Sequence, residues 1–374
     1  MTFEDPGRDP APRLLALATA VPEHILDQAA VAAEAPRLFP ERGAELARLL
    51  PVYANAGIGR RYSCLPLARY SEPADWKTKN DLYIEHAVRL LRQAAEDCLA
   101  KAGLAAADID AVVTVSTTGI ATPSLDARLM QHLDLREDVE RLPIFGLGCA
   151  GGVLGLGRAA ALARARPGAN VLCLVVELCA LTFRLGDHSN ANIVATALFG
   201  DGAAATIITS RDDAPSDAPH LAAWGEHTWR DSLDVMGWSV ENDGLGVVFS
   251  REIPRLIQQR MPAAAAQFLA KQGLALADID SYLCHPGGAK VIAALEESFG
   301  LQQGSLTLAR QVLHDYGNMS AASILFVLEA AMVQGLKGRQ LLSALGPGFT
   351  AAFLVLEAEG SLPPRALGRP EAAE

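Results

Sequence analysis

The segment GLAAADIDAVV, starting at Gly103, returns as GLALADIDSYL at Gly273, an offset of 170 residues. In both copies a helical pattern ends at a glycine, an acidic D-I-D turn follows, and an apolar strand begins. The same offset lays GCAGG (148–152) on NMSAA (318–322) and VLCLVVELCA (171–180) on LLSALGPGFT (341–350). Three ungapped matches at one offset point to a duplicated unit. They predict two halves, 12–215 and 216–360, that meet across a pseudo-twofold axis. The polar, proline-containing stretch RDDAPSDAPH (211–220) reads as the connector, and residues 1–11 and 361–374 as tails.

Within each half, apolar β-type runs alternate with helical patterns, which predicts an α/β fold. Strands are expected at 13–19, 111–116, 171–177, 203–210, 281–285, 341–345 and 351–357, and long helices at 81–101, 150–166, 253–271 and 319–335. Half of the residues are hydrophobic, enough for a substantial core, and the net charge of -11 excludes general nucleic-acid binding. It leaves room for an anionic ligand on a local basic patch. No segment has the length of a membrane span. The acidic, proline-rich start MTFEDPGRDPAP does not read as a secretion signal. The six cysteines (Cys64, Cys98, Cys149, Cys173, Cys179, Cys284) form no C-x-x-C pair, so no zinc site or disulfide framework is indicated. A reduced, cytoplasmic, enzyme-sized protein is the expectation.

The stretch PIFGLGCAGGVLGLG (143–157) admits two readings. Gly146, Gly148 and Gly151 spell G-x-G-x-x-G ahead of a helix, and Glu177 ends the next strand where a ribose-binding carboxylate would sit, as in nicotinamide-dependent oxidoreductases. Alternatively, Cys149 is a nucleophile in the first turn of a helix, where backbone N–H groups favour a thiolate and small neighbours admit substrate. The plain alternative is a buried, inert cysteine. Two further motifs bear on the choice. CHPGGAK (284–290) puts His285 at a strand end, and HDYGNMSAASILF (314–326) puts Asn318 at a helix start, where the repeat pairs it with Gly148. Duplication brings the two helix starts together at the pseudo-axis, so Cys149, His285 and Asn318 can converge.

Cys149 in GLGCAGG, His285 in HPGG, Asn318 in YGNMSAAS, the LFGDGAA run (198–204) and the late GPG loop (346–348) resemble the type III polyketide synthases, the chalcone-synthase-like family. The resemblance spans about residues 12–360 and implies a thiolase fold, with duplicated halves layered α-β-α-β-α. Ketoacyl-ACP synthases of the initiating type share this fold and a Cys-His-Asn set, but typically show H-Q-x-N where this chain has His285-Pro286-Gly287-Gly288. The family implies that Cys149 holds an acyl starter as a thioester. It implies that His285 and Asn318 stabilise the enolate formed when malonyl-CoA loses carbon dioxide. Acyl-CoA and malonyl-CoA are then substrates, no metal or other cofactor is required, and the protein is a homodimer in which Thr122 reaches the partner's cavity.

By the same resemblance Phe199 gates the passage from the CoA tunnel to the cavity, and Val247 stands where plant members place a second gating phenylalanine. Glu177, Cys179, Thr182, Thr117 and Thr118 are expected to line the cavity together with the loop Gly346, Pro347 and Gly348. Arg60 and Arg61 are the candidates for CoA phosphates. GIATPSLDARL (119–129) and DVMGWSVENDGLGVVFSREIP (234–254) are similar to the bacterial branch that makes long-chain alkylpyrones or alkylresorcinols. Glu177-x-Cys179 is also similar to the malonyl-primed tetrahydroxynaphthalene synthases. A catalytically silent thiolase-fold partner is the remaining alternative, and retention of Cys149, His285 and Asn318 argues against it.

Overall fold

A computed structural model describes residues 11–361; the expected tails otherwise lie outside these residues. Nine strands form the main sheet: β1 (Arg13–Ala20), β2 (Ala111–Val115), β3 (Glu140–Ile144), β4 (Asn170–Leu178), β5 (Asp201–Thr209), β6 (His220–Thr228), β7 (Ser281–Cys284), β8 (Arg339–Gly346) and β9 (Thr350–Glu357). Their order is β7-β8-β9-β6-β1-β5-β4-β2-β3. The helices that matter for the site are α1 (Trp76–Ala102), α2 (Gly151–Ala165), α3 (Ile253–Ala270), α4 (Ala289–Ser298), α5 (Thr307–Tyr316) and α6 (Ser323–Gln334).

The sheet is two copies of one pattern joined back to back. In each, a parallel pair (β2 with β4, β7 with β8) continues through two antiparallel neighbours to the first strand of the unit, β1 or β6. The junction between β1 and β6 is thin, with a single strand pair, Arg13 with His220, flanked by backbone bonds to Pro219 and Pro12. Strand β3 has no counterpart in the second half among the described residues. It escapes notice in the sequence because ERLPI carries a proline and two charges, as suits a solvent-exposed edge. Strand β6 is missed too, since HLAAWGEHT mixes polar and glycine positions into a nine-residue run.

Helix α2 is buried along nearly its whole circumference, as expected of a helix with apolar or small residues all round. It packs on β4 and β2 on one side and on β6, β9 and β8 on the other, with α6 beside it. These two helices form the central layer. Helix α1 covers the outer face of the first half, and α3, with α4 packed on it, covers that of the second. The layering is therefore the α-β-α-β-α arrangement that the family resemblance implies.

The repeat is real, but its register drifts. Turns 106–108 and 276–278 match at the offset of 170, and each is closed by the same bond at 2.8 Å, Ala105 N to Asp108 Oδ2 and Ala275 N to Asp278 Oδ2. At the helix starts the offset becomes 172. The turns there are 148–150 and 320–322, and their first residues share a left-handed backbone, Gly148 at φ +49° and Ser320 at φ +46°. Cys149 thus corresponds to Ala321, not Met319, and Asn318 lies two residues before the matching turn. At β4 and β8 the offset is 169, since Val171 pairs Ala111 as Gln340 pairs Ser281. A strand slip of one residue exchanges the two faces, so the ungapped overlay misassigned side-chain directions there.

Candidate active site

The glycines of 148–152 are set by packing. A β-carbon at Gly148 would stand 2.5 Å from Pro347 Cδ, and one at Gly152 would stand 2.2 Å from the carbonyl oxygen of Ala321. A β-carbon at Gly151 would press on Val115 and Ala321. The starts of α2 and α6 are thus in near backbone contact, and the Gly346-Pro347-Gly348 loop is wedged against the same turn: a β-carbon at Gly346 would meet Leu147 O at 2.4 Å. The loop buttresses the turn that carries Cys149.

This packing also decides between the two readings of the glycine motif. A phosphate cradle needs free amides at the helix start. Here Gly148 N donates to Thr117 Oγ1, Ala150 N to Leu147 O, and Gly151 N to Gly148 O. The dinucleotide reading is overturned: the glycines serve close approach, and Cys149 sits at their centre.

One chain of hydrogen bonds connects the three candidate residues. Cys149 Sγ donates to Ser320 Oγ at 3.6 Å, Ser320 N donates to Asn318 Oδ1 at 2.8 Å, Asn318 Nδ2 donates to Gly287 O at 3.2 Å, and Gly287 N donates to His285 O at 3.0 Å. His285 follows the last residue of β7 and is fixed by its own N–H to Ser343 O on β8. Asn318 is fixed by an isolated parallel bridge to Phe199, through Asn318 N to Leu198 O and Gly200 N to Asn318 O. Because Oδ1 of Asn318 is occupied by Ser320 N, its amide NH2 faces the other way and keeps one hydrogen free for a ligand oxygen. Ser320 was not singled out in the sequence. The displaced register hid it: it occupies the place of Gly148, and holds a left-handed backbone despite its β-carbon.

His285 is buried, and neither ring nitrogen has a partner. Burial drives its imidazole down to about 3, so it is neutral. Burial likewise pushes the Cys149 thiol up to about 12, against the modest help of the Ser320 bond. A lone thiolate is therefore disfavoured here despite the first-turn position. A thiolate beside an imidazolium is net neutral, and burial penalises that pair less than either ion alone.

Glu177, Thr117 and Thr118 form a network beneath the Cys149 turn. Glu177 Oε2 accepts from Thr117 N at 3.0 Å and from Thr118 Oγ1 at 2.9 Å, while Oε1 has no partner. These three residues do not line the pocket described below, because their polar atoms are turned to one another and to the strand ends. Burial raises the Glu177 carboxyl to about 7. The folded chain then holds more protons than the unfolded one between about pH 4.5 and 7, so stability falls as pH rises through that window. The total effect is about 3 kcal/mol and vanishes below it. Denaturation of Glu177→Gln alongside the parent chain from pH 4 to 8 should show the variant gaining that amount relative to the parent. Parallel curves would mean that the carboxyl titrates in the folded chain as it does in the unfolded one.

Cys179 and Thr182, by contrast, line a narrow apolar pocket of about 40 Å³ with Phe199, Ala195, Leu38, Leu67 and Phe183. Val247 packs beside Phe199 on the hairpin Met236–Glu241 and Gly244–Phe249, but the room it leaves is taken by Trp238 and Phe249, whose rings lie 6.0 and 5.7 Å from that of Phe199. The position where plant members place a second phenylalanine is thus enclosed by an aromatic cluster. Arg60 is exposed, as a phosphate-binding residue would be. Arg61 is not: at 2 % exposure its Nη1 donates to Thr196 O and Phe199 O, so it braces the backbone at Phe199 and is out of reach of a phosphate in solvent. Among the described residues no group of side chains suits a metal ion, and no helix is long and apolar enough to cross a membrane.

Residues 61–212 match the family described as chalcone and stilbene synthases, N-terminal domain, and residues 230–358 match its C-terminal domain. The 1,3,6,8-tetrahydroxynaphthalene synthase of Streptomyces peucetius subsp. caesius is 39% identical over 348 residues, covering 91% of this chain and 92% of the relative. The alpha-pyrone synthesis polyketide synthase-like Pks18 of Mycobacterium tuberculosis is 30% identical, covering 91% and 90%. Among solved structures, the 1,3,6,8-tetrahydroxynaphthalene synthase of Streptomyces coelicolor A3(2), a bacterial type III polyketide synthase, superposes with a TM-score of 0.87 at 26% identity, over 93% of this chain and 100% of that one.

Proposed function

Since the chain belongs to the chalcone and stilbene synthase family of type III polyketide synthases, we propose that it extends a long-chain fatty acyl starter with malonyl units and releases an alkylpyrone or alkylresorcinol. Cys149 gives its proton to His285, and the sulfur attacks the thioester carbon of acyl-CoA. The CoA sulfur leaves with that proton, and the acyl group stays on Cys149. Malonyl-CoA then loses its carboxylate as carbon dioxide, and the electrons of the broken C–C bond form an enolate. His285 and the free amide hydrogen of Asn318 hold its oxygen. The enolate carbon attacks the Cys149 thioester, the sulfur departs as thiolate, and the chain passes to CoA two carbons longer. No redox step occurs.

The neutral imidazole suits both parts, since it can accept the thiol proton and later donate an N–H. Replacing His285 by alanine should slow alkylation of Cys149 by iodoacetamide at pH 7 by about 10²-fold, because the lone buried thiolate then has no counterion. An unchanged rate would remove His285 as the base.

The observation that carries the starter assignment is the apolar pocket behind Cys179, Thr182 and Phe199, which offers an alkyl chain a dry wall. The reading is tested by mass spectrometry of products from purified protein, malonyl-CoA and a ladder of acyl-CoA starters. Products that lengthen with the starter are expected. A starter-independent aromatic product would instead support a malonyl-primed tetrahydroxynaphthalene synthase, the second reading favoured by the 39% relative. A homodimer is the expected assembly. Strand β3 is an exposed sheet edge, and Ile120, Leu142 and Phe145 leave large apolar side chains in solvent around the exposed Thr122.

A further inference from the structure

Two hollows flank one pair of rings. The inner one is the apolar pocket of Cys179, Thr182 and Phe199. The outer one, about 400 Å³, opens among Arg69, Glu72, Lys79 and Asp243, and reaches inward to Leu82 and Leu181. Tyr70 and Phe183 line both. Their rings meet edge to face, centroids 6.2 Å apart, and are the partition between the two spaces.

The partition is held at the hydroxyl of Tyr70 and at the backbone of Phe183. Tyr70 is tethered through its hydroxyl to Ser63 Oγ at 2.6 Å, and the carbonyl of Phe183 accepts from Lys79 Nζ at 2.8 Å. Both side chains are only partly buried. The inner pocket also has a polarity gradient. Its one charged lining residue, Arg61, lies at the Phe199 end, where Nε and the second Nη are buried without a partner. Leu38, Leu67 and Phe183 add apolar walls, beside Tyr70, whose hydroxyl is held by Ser63. An acyl chain has the same gradient, with oxygen near the thioester and methylenes beyond.

We infer that the two hollows are one passage for the tail of the starter, and that the Tyr70–Phe183 pair is a gate that sets the chain length accepted. The inference rests on the acyl-starter reading above. A tail that outgrows the inner pocket must part the rings to reach the outer groove. Each methylene still buried on the way is worth roughly fourfold in binding, so a blocked gate cuts selectivity for long starters steeply.

Two measurements test this. First, the parent protein is incubated with a tetradecanoyl-CoA carrying a terminal diazirine, irradiated, and mapped by mass spectrometry. Label on the segments 65–82 or 179–186 is expected. Label confined elsewhere, with Cys149 acylated, overturns the gate and leaves the acyl-starter reading standing. No acylation of Cys149 by any starter overturns both. Second, kcat/KM is taken for tetradecanoyl-CoA and hexanoyl-CoA, and their ratio is compared between variants so that any general loss cancels. Phe183→Trp should lower the ratio by roughly tenfold or more, and Phe183→Ala should raise it. One ratio shared by the parent and both variants overturns the inference.

Discussion

Cys149→Ala should abolish condensation and leave malonyl-CoA decarboxylation standing. The substitution removes the only atom on which the starter can be held, so product formation should fall by at least about 10⁴-fold, and the acyl adduct should vanish from the intact-protein mass. Carbon dioxide release depends on the enolate oxygen being held, the task proposed for His285 and Asn318, and acetyl-CoA should still accumulate as the enolate takes up a proton. The fold should survive, because the thiol gives up only one long bond to Ser320. Acylation persisting in the variant would place the nucleophile elsewhere, with Cys179 the first to inspect, since it lines the apolar pocket.

Asn318→Asp produces the complementary loss. Aspartate keeps an oxygen for Ser320 N, so the turn that positions Ser320 is preserved, but the N–H that would meet the enolate oxygen is gone. Losing one such donor costs about 10²–10³ in rate, and a carboxylate placed against an anionic transition state adds repulsion. Decarboxylation and condensation should both fall by that factor or more, while acylation of Cys149 by starter continues. If decarboxylation ran at the parent rate, Asn318 would be a cap for Ser320 and nothing further. Together, the two variants separate holding the starter from making the carbanion.

The duplication and the paired D-I-D turns were legible because turn chemistry is local: a short acidic side chain closes onto an amide three residues back, whatever surrounds it. Cys149, His285 and Asn318 could be picked out for a related reason, as each sits at the end of an element with distinctive neighbours. Ser320 could not. Its backbone conformation depends on how α6 docks against α2, and the register that would have revealed it shifts by two residues between the D-I-D turns and the helix starts. Arg61 was misplaced for the converse reason. A charged residue beside Arg60 reads as surface until the fold buries it against the carbonyls of Thr196 and Phe199. Val247 taught the same lesson, since a smaller residue opens a gate only if no other ring fills the room.

The interlock at the pseudo-axis has a consequence for how such an enzyme can diversify. Gly151 and Gly152 abut Ala321, Gly148 abuts Pro347, and these contacts join the two halves where backbones come nearest. Almost any larger side chain there would move the reacting groups and the core at once. The walls proposed to touch a substrate's tail, Leu67, Tyr70 and Phe183 among them, hang instead on loops and short turns outside the main sheet. Inheritance can therefore rewrite what the enzyme makes without retouching how it makes it, one region drifting freely while the other is held by mutual obstruction.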